Sequence, residues 1–404
     1  MVRSAFLPWV SLSALSLLVA CGAEESNGGN NGAGASTSSG AAPGTGAAPG
    51  TGAAAGVGGT PQGTGGAATG GAGTGGEATG GAATGGAGTG GDATGGTGTG
   101  GGGGSGVGFT CPQVTPGATP TVGAATLLAT APDMNGEAQV FLEGPVWVNG
   151  ALYVSQLRKW GDQPPARVLK LNGTSLDEVI ADSGSNGLAV DGAGKLVAAS
   201  HKAHGIVAFD LSAPSAAPTT IAAQHNGAGF NSPNDLTIRA DGNIYFTDPS
   251  YQCGNNCPQG KGAGQKRVYR VAPGGAVTTV ASTHDEPNGI GLSPDGNTLY
   301  VAGSGSLEKF AVMADGSVGA RETFAGVSGV DGLAIDCAGN VYATVHSQNK
   351  VDVIKPDGST HGSITLGAAV TNAAFGGPDN KTLYITTYDK ALYSITLDIP
   401  GYPY

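Results

Sequence analysis

Six short, related segments recur along this chain. They begin at Glu143 (Glu-Gly-Pro-Val-Trp), Asn186 (Asn-Gly-Leu-Ala-Val), Asn234 (Asn-Asp-Leu-Thr-Ile), Asn288 (Asn-Gly-Ile-Gly-Leu), Asp331 (Asp-Gly-Leu-Ala-Ile) and Asn372 (Asn-Ala-Ala-Phe-Gly), at intervals of 43, 48, 54, 43 and 41 residues. Most are followed by a turn pair and a second apolar run. The sharpest case is Ser232 to Asp248, where an Asp241-Gly242 turn separates two alternating strands. A repeat of this length, built from strands and Gly turns, predicts one four-stranded blade per copy. The domain is therefore expected to be all-β, a six-bladed β-propeller. No segment keeps a helical period over ten residues, and β-branched residues with Gly turns dominate.

The first residue of every copy carries a side-chain oxygen: Glu, Asn, Asn, Asn, Asp, Asn. In a propeller the first strand of each blade lines the axis, so this column is expected to form a ring around it. Two carboxylates and four carboxamides are hard ligands, with no sulfur or imidazole among them. They suit Ca²⁺ or Mg²⁺ better than Zn²⁺. Six side chains cannot all reach one ion, so a subset of three or four is expected. Turn chemistry is the competing explanation, because Asn and Asp before Gly favour turns by themselves. It accounts for neither Glu143 nor Asn234-Asp235, where an acid replaces the glycine.

The second strands should return to the same face. Their ends carry Gln156, His201, Asp248, Ser304, His346 and Thr387, an expected outer polar ring. His201 and His346 are candidate substrate contacts or proton carriers near neutral pH, although a surface histidine usually has no such role. Within blade one, Asn149-Gly150 marks a hairpin, and Leu157 to Pro165 reads as a polar loop. Ala124 to Thr130 reads as a strand that completes the last blade and closes the ring.

The rest of the 404 residues bounds the domain. Arg3, an apolar run from Ala5 to Ala20, and then Cys21 form a signal-peptide layout over residues 1–20. Leu18-Val19-Ala20-Cys21 resembles a bacterial lipobox, which implies that Cys21 is lipidated and tethers the chain to a membrane. Gly22 rather than aspartate follows it, so the outer membrane or cell envelope is the expected location. An uncleaved span is disfavoured by its short length and by Pro8. Residues 21–107 continue into a Gly/Thr/Ala-rich linker, expected to be disordered, with an r.m.s. reach of roughly 50 Å for about eighty residues. Residues 108–404 form the propeller. The net charge is −11. With no basic patch, nucleic acid is excluded as a partner. The domain is expected to be monomeric. Cys111, Cys253, Cys257 and Cys337 form an even set in an exported chain. The expected pairs are Cys253–Cys257, enclosed in one loop, and Cys111–Cys337, with a metal site as the rival use of the close pair.

The segments Glu143-Gly144-Pro145-Val146-Trp147, Ser232-Pro233-Asn234-Asp235, Pro287-Asn288-Gly289 with Ser293-Pro294-Asp295-Gly296, Asp331-Gly332-Leu333-Ala334 and Thr371-Asn372-Ala373-Ala374-Phe375-Gly376-Gly377 together resemble the gluconolactonase/regucalcin (senescence marker protein) family. The resemblance spans nearly all of 140–397 and looks closest to the bacterial gluconolactonase branch. It implies a six-bladed propeller that hydrolyses a sugar lactone with one divalent metal. Ca²⁺ is the first choice, with Mg²⁺, Mn²⁺ and Zn²⁺ as alternatives. By motif, the family's metal ligands fall on Glu143, Asn288 and Asp331, while Asn234 contacts substrate or completes the metal shell. Asp331 is also the candidate catalytic base. Some members carry an arginine two residues before that asparagine. Here the place is Ser232, so sugar specificity does not carry over. A paraoxonase-like lactonase or esterase and a non-catalytic, surface-displayed binding propeller remain as alternatives.

Overall fold

A computed structural model of the chain describes residues 110–402, apart from 160, 162, 261–264, 283–285 and 304. The described residues fall within one compact unit, Asp92–Tyr404. The expected signal peptide, Cys21, the whole linker, Trp160, His284 and Ser304 lie outside them.

The architecture is the expected one. Six four-stranded antiparallel sheets follow one another in sequence order. Their inner strands are Val140–Val148, Ser185–Val190, Leu236–Ile238, Ile290–Leu292, Val330–Ile335 and Val370–Gly376. The predicted closing strand is present as Thr126–Thr130. It pairs with Ala391–Thr396 and so completes the sheet that contains Val370–Gly376 and Thr382–Thr387. Ring closure thus joins the two ends of the domain through hydrogen bonds. Blade one differs in detail from the sequence reading. Its inner hairpin is longer, reaching back to Val140 and forward to Arg158, so only the residues beyond Arg158 form the expected loop.

The alternation of the strands explains the core. Among the described residues, buried apolar side chains group into six clusters, each between two neighbouring blades, with a small seventh around Phe141 and Leu157. Each sheet is buried on both faces, so its strands read as apolar runs broken only at the axis. Trp147 of blade one stacks on Tyr384 of blade six (centroids 5.9 Å apart), and Tyr342 of blade five meets Phe375 of blade six edge-on. Polar ties add to the seams. Thr371 Oγ1 donates to Leu142 O at 2.6 Å, and Tyr245 Oη donates to Gly316 O at 2.6 Å.

Both expected disulfides are present. Cys111–Cys337 pins the segment before the closing strand to the hairpin turn of blade five, where Gly117 N also donates to Ala338 O. Cys253–Cys257 closes a short loop in the blade-three insertion. The loop-entropy relation scales with the residues enclosed. Replacing Cys111 and Cys337 with serine is expected to cost about 5 kcal/mol, against about 2 kcal/mol for the Cys253/Cys257 pair. Urea midpoints of the two double variants test this order.

Candidate active site

The oxygen-bearing column sits at an irregularity in the inner strands. Where these strands pair along the column, register shifts fall at Glu143/Val146, Ser185/Leu188, Val330/Leu333 and Val370/Ala373. In blades three and four the regular strand begins only after Asn234-Asp235 and Asn288-Gly289. A bulge lets a side chain leave the in–out alternation and aim along the axis.

Five of the six column residues, Glu143, Asn186, Asn234, Asn288 and Asp331, line one cavity of about 510 Å³ at the start of the inner strands. Asn372 does not. It lines the narrower channel further along the axis, where its Nδ2 donates to Asp235 Oδ2 at 3.3 Å. Asp235 is the residue that the sequence reading undervalued. The signal was visible, since blade three alone has an acid where four copies have glycine and one has alanine.

The geometry around Asp331 is specific. Asn288 Nδ2 donates to Asp331 Oδ1 at 2.6 Å, which turns the Asn288 carbonyl oxygen away from that carboxylate. His346 Nδ1 lies 2.7 Å from Val370 O and 3.3 Å from Asp331 Oδ2. The shorter contact takes the Nδ1 hydrogen, which leaves Nε2 as the atom free to exchange a proton. The His346 pKa is raised, mainly by the Asp331 carboxylate beside its Nδ1, against an opposing effect of burial. Glu143 is buried, and its Oε2 accepts from Gly144 N at 3.0 Å. Burial pushes its carboxyl well up, and the Asp331 and Asp235 charges push it further. Asp235 is raised to about 7, first by burial.

The residues present fit a hard divalent cation. Two carboxylates that repel each other face one cavity, and Asn186 Oδ1 is buried there without a hydrogen-bond partner. Among the described residues no three His, Cys, Asp or Glu side chains are grouped to hold an ion by themselves. A centre here therefore depends on carboxamide oxygens as well as on Glu143 and Asp331, a donor set that favours Ca²⁺ over Zn²⁺.

The expected outer ring is mostly structural. Gln156 bonds Pro132 O and Arg167, while Thr387 bonds Asp389 and Ala391 O. Asp248 accepts from Asn231 N in the blade-three interior, with burial raising its pKa to about 8. Of the ring members described, only His346 lines the cavity. His201 is fully buried, with Nε2 donating to Pro164 O at 2.7 Å, and does not line it. Strand-end position alone could not separate a residue facing the mouth from one turned into the next blade. The cavity walls also include residues that carried no motif: Phe141 from the inner strand of blade one, and Lys159, Tyr251, Gln252, Glu286 and Tyr388 from loops.

His201 makes a pH prediction. Burial lowers its pKa to about 4 from an ordinary 6.5. The unfolded chain therefore binds the extra proton first, and the stability contributed by neutral His201 is full above 6.5 and lost as pH falls toward 4. Asp235 and Asp248, with raised values, act in the opposite sense, so a comparison is needed. The stability difference between the wild type and His201→Gln is expected to grow by up to about 3 kcal/mol between pH 4 and 6.5. Urea melts across that range measure it; a flat difference excludes the buried-neutral assignment.

Comparison with known proteins places the chain. Residues 141–389 match the family described as the SMP-30/gluconolactonase/LRE-like region. A gluconolactonase of Zymomonas mobilis is 28% identical over 277 residues, covering 60% of this chain and 75% of that protein. The solved structure of a gluconolactonase from Xanthomonas campestris is 28% identical, with a TM-score of 0.55 over 71% of this chain and 99% of that one. A calcium-binding regucalcin from Agrobacterium tumefaciens shares the fold, at 20% identity and a TM-score of 0.56 over 71% of this chain and 98% of its own. With its six blades and axial column of oxygen-bearing side chains, this chain belongs to the SMP-30/gluconolactonase/LRE-like family.

Proposed function

We propose that this protein is a hydrolase that opens a sugar lactone with the help of one divalent cation, Ca²⁺ by its donor set. The observation that carries the reading is the meeting of Glu143, Asn234, Asn288 and Asp331 at one cavity, beside a histidine with a free Nε2. The relatives named as lactonases support the reaction class. The calcium-binding neighbour supplies the fold only.

Glu143, Asn234, Asn288 and Asp331 would hold the ion. When bound, it supplies a positive charge that polarises the lactone carbonyl and stabilises the developing oxyanion. Asp331, fixed by Asn288, accepts a proton from the attacking water. As the water oxygen bonds to the acyl carbon and the ring C–O bond breaks, protonated His346 delivers a proton from Nε2 to the departing alkoxide. The proton on Asp331 then returns to His346 or to solvent, and the product is the open hydroxy acid. His201, assigned a substrate contact from its sequence position, has no part in this scheme because its ring is buried and neutral.

We also propose that the propeller works at the cell envelope, anchored through lipidated Cys21 and acting as a monomer. That part rests on the sequence of residues 1–107 and on no contact described above.

The test is proton release on lactone opening. Asp331→Asn is expected to lower kcat by 10²-fold or more. Chelator treatment should abolish turnover, and added Ca²⁺ should restore it. His346→Gln should lower kcat and remove the fall in kcat on the alkaline side of the pH profile, where the imidazolium would lose its proton. Full turnover by Asp331→Asn would falsify the assignment of the base. A chelated enzyme that still opens lactones removes the ion from the reaction.

A further inference from the structure

Among the described residues lining the cavity, Lys159 is the one side chain with a permanent positive charge. Its position is built rather than incidental. Its backbone N donates to Gln139 O at 2.8 Å, and the neighbouring Arg158 N donates to Pro165 O at 3.2 Å. Further along the same loop, Gln163 N donates to Gln252 O at 2.7 Å, which ties blade one's loop to the blade-three insertion. The Gln163 amide also donates to His204 Nε2 at 2.6 Å, and His204 Nδ1 in turn donates to Asn231 O at 2.6 Å.

The ammonium of Lys159 stands 4.3 Å from the centre of the Tyr388 ring. That ring meets His346 edge-on, with centroids 5.2 Å apart, and His346 contacts Asp331. One wall of the cavity therefore runs from the reacting end to a lysine. A ring face holds a cation without neutralising it, and among the described residues no carboxylate forms an ion pair with Lys159. The other rim charge is already balanced. Glu286 pairs with Lys266 at 2.9 Å and accepts from both Ser250 N and Ser250 Oγ. The cavity thus offers one uncompensated cation, set apart from the ester-opening end, in a volume larger than a single lactone ring fills.

We propose that Lys159 is a specificity-determining residue that receives an oxyanion on the exocyclic carbon of the lactone, so that the preferred substrates are acidic sugar lactones rather than neutral ones. This rests on the lactonase reading and extends it to a substrate class. Tyr388 holds the ammonium in place and limits the side-chain entropy lost on binding, which for a free lysine offsets much of a surface ion pair. A neutral polyol tail would leave that charge facing water.

The experiment compares D-glucono-1,5-lactone with its 6-phosphate and with the corresponding 6-carboxylate, using the Ca²⁺-loaded protein. The wild type is expected to show a kcat/KM about 10- to 100-fold higher for at least one charged lactone, expressed mainly in KM and shrinking with added salt. Lys159→Met should bring the charged-to-neutral ratio to about one, and Lys159→Arg should retain most of it. A thermal melt of each variant checks that it folds. A preference for the phosphate alone or the carboxylate alone identifies which oxyanion is taken. Equal wild-type rates on neutral and charged lactones overturn the proposal while leaving the lactonase reading intact. So does a preference that survives in Lys159→Met. If no lactone of either charge is opened, the lactonase reading fails and this proposal fails with it.

Discussion

The structure depends on how closely neighbouring inner strands approach at the axis. Gly187 N donates to Asn234 O at 2.6 Å, and Gly289 N donates to Asp331 O at 2.6 Å. A Cβ at Gly187 would lie 2.4 Å from Asp235 Oδ1, one at Gly289 2.5 Å from Asp331 O, and one at Gly144 2.3 Å from Asn186 O. No methyl group fits in such gaps. In the four blades where glycine follows the column position, it is glycine because of the adjacent blade. Gly187, Gly289 and Gly332 do not have the positive φ that a left-handed turn would need, although Gly144 does. The same crowding bulges the strands and sends the preceding oxygen-bearing side chain into the open space on the axis. Packing and chemistry share one cause here.

That arrangement concentrates negative charge where the fold can least disperse it. The Asp331 charge raises the proton affinity of both Glu143 and Asp235 beyond what burial does, and Asp235 adds to the effect on Glu143. Like charges at close quarters in a desolvated site destabilise the empty protein and favour whatever cation enters. The carboxamides matter because they add donors without adding repulsion. Asn288 restrains Asp331, and Asn372 sits beside Asp235. The stability given up at the axis is made good in the six apolar seams between blades, which lie away from it.

Much of this was legible in the chain. Spacing alone gave six blades, because each copy had to supply a unit of constant size, and the ring closed with Thr126–Thr130 as expected. The oxygen column also pointed to the axis, since a residue type that persists through six otherwise variable copies must occupy equivalent places. The Asn-Gly pairs were open to explanation by turn preference, and only three-dimensional distances show that the glycine answers to a neighbour 42 to 48 residues away. His201 and His346 looked equivalent as residues ending second strands, yet one is packed against Pro164 O and the other faces the cavity. His201 is covered by Pro164 from the blade-one loop, a contact between residues 37 apart that no local pattern encodes. Lys159, Tyr251 and Glu286 come from such loops and left no periodic trace.

The Cys111–Cys337 bond deserves a mechanical reading. Val330–Ile335 begins at the cavity and ends at the turn that holds Cys337, so the polypeptide enters the propeller on the side away from the mouth. Force applied through residues before Cys111 would pass covalently into blade five. Without that bond only hydrogen bonds, such as Gly117 N to Ala338 O and Thr121 N to Asp398 Oδ1, would stand between the load and Thr126–Thr130, and an edge strand pulled from one end peels off one hydrogen bond at a time. The bond diverts the load before it arrives there, so the strand that closes the ring is spared by a covalent shortcut around it.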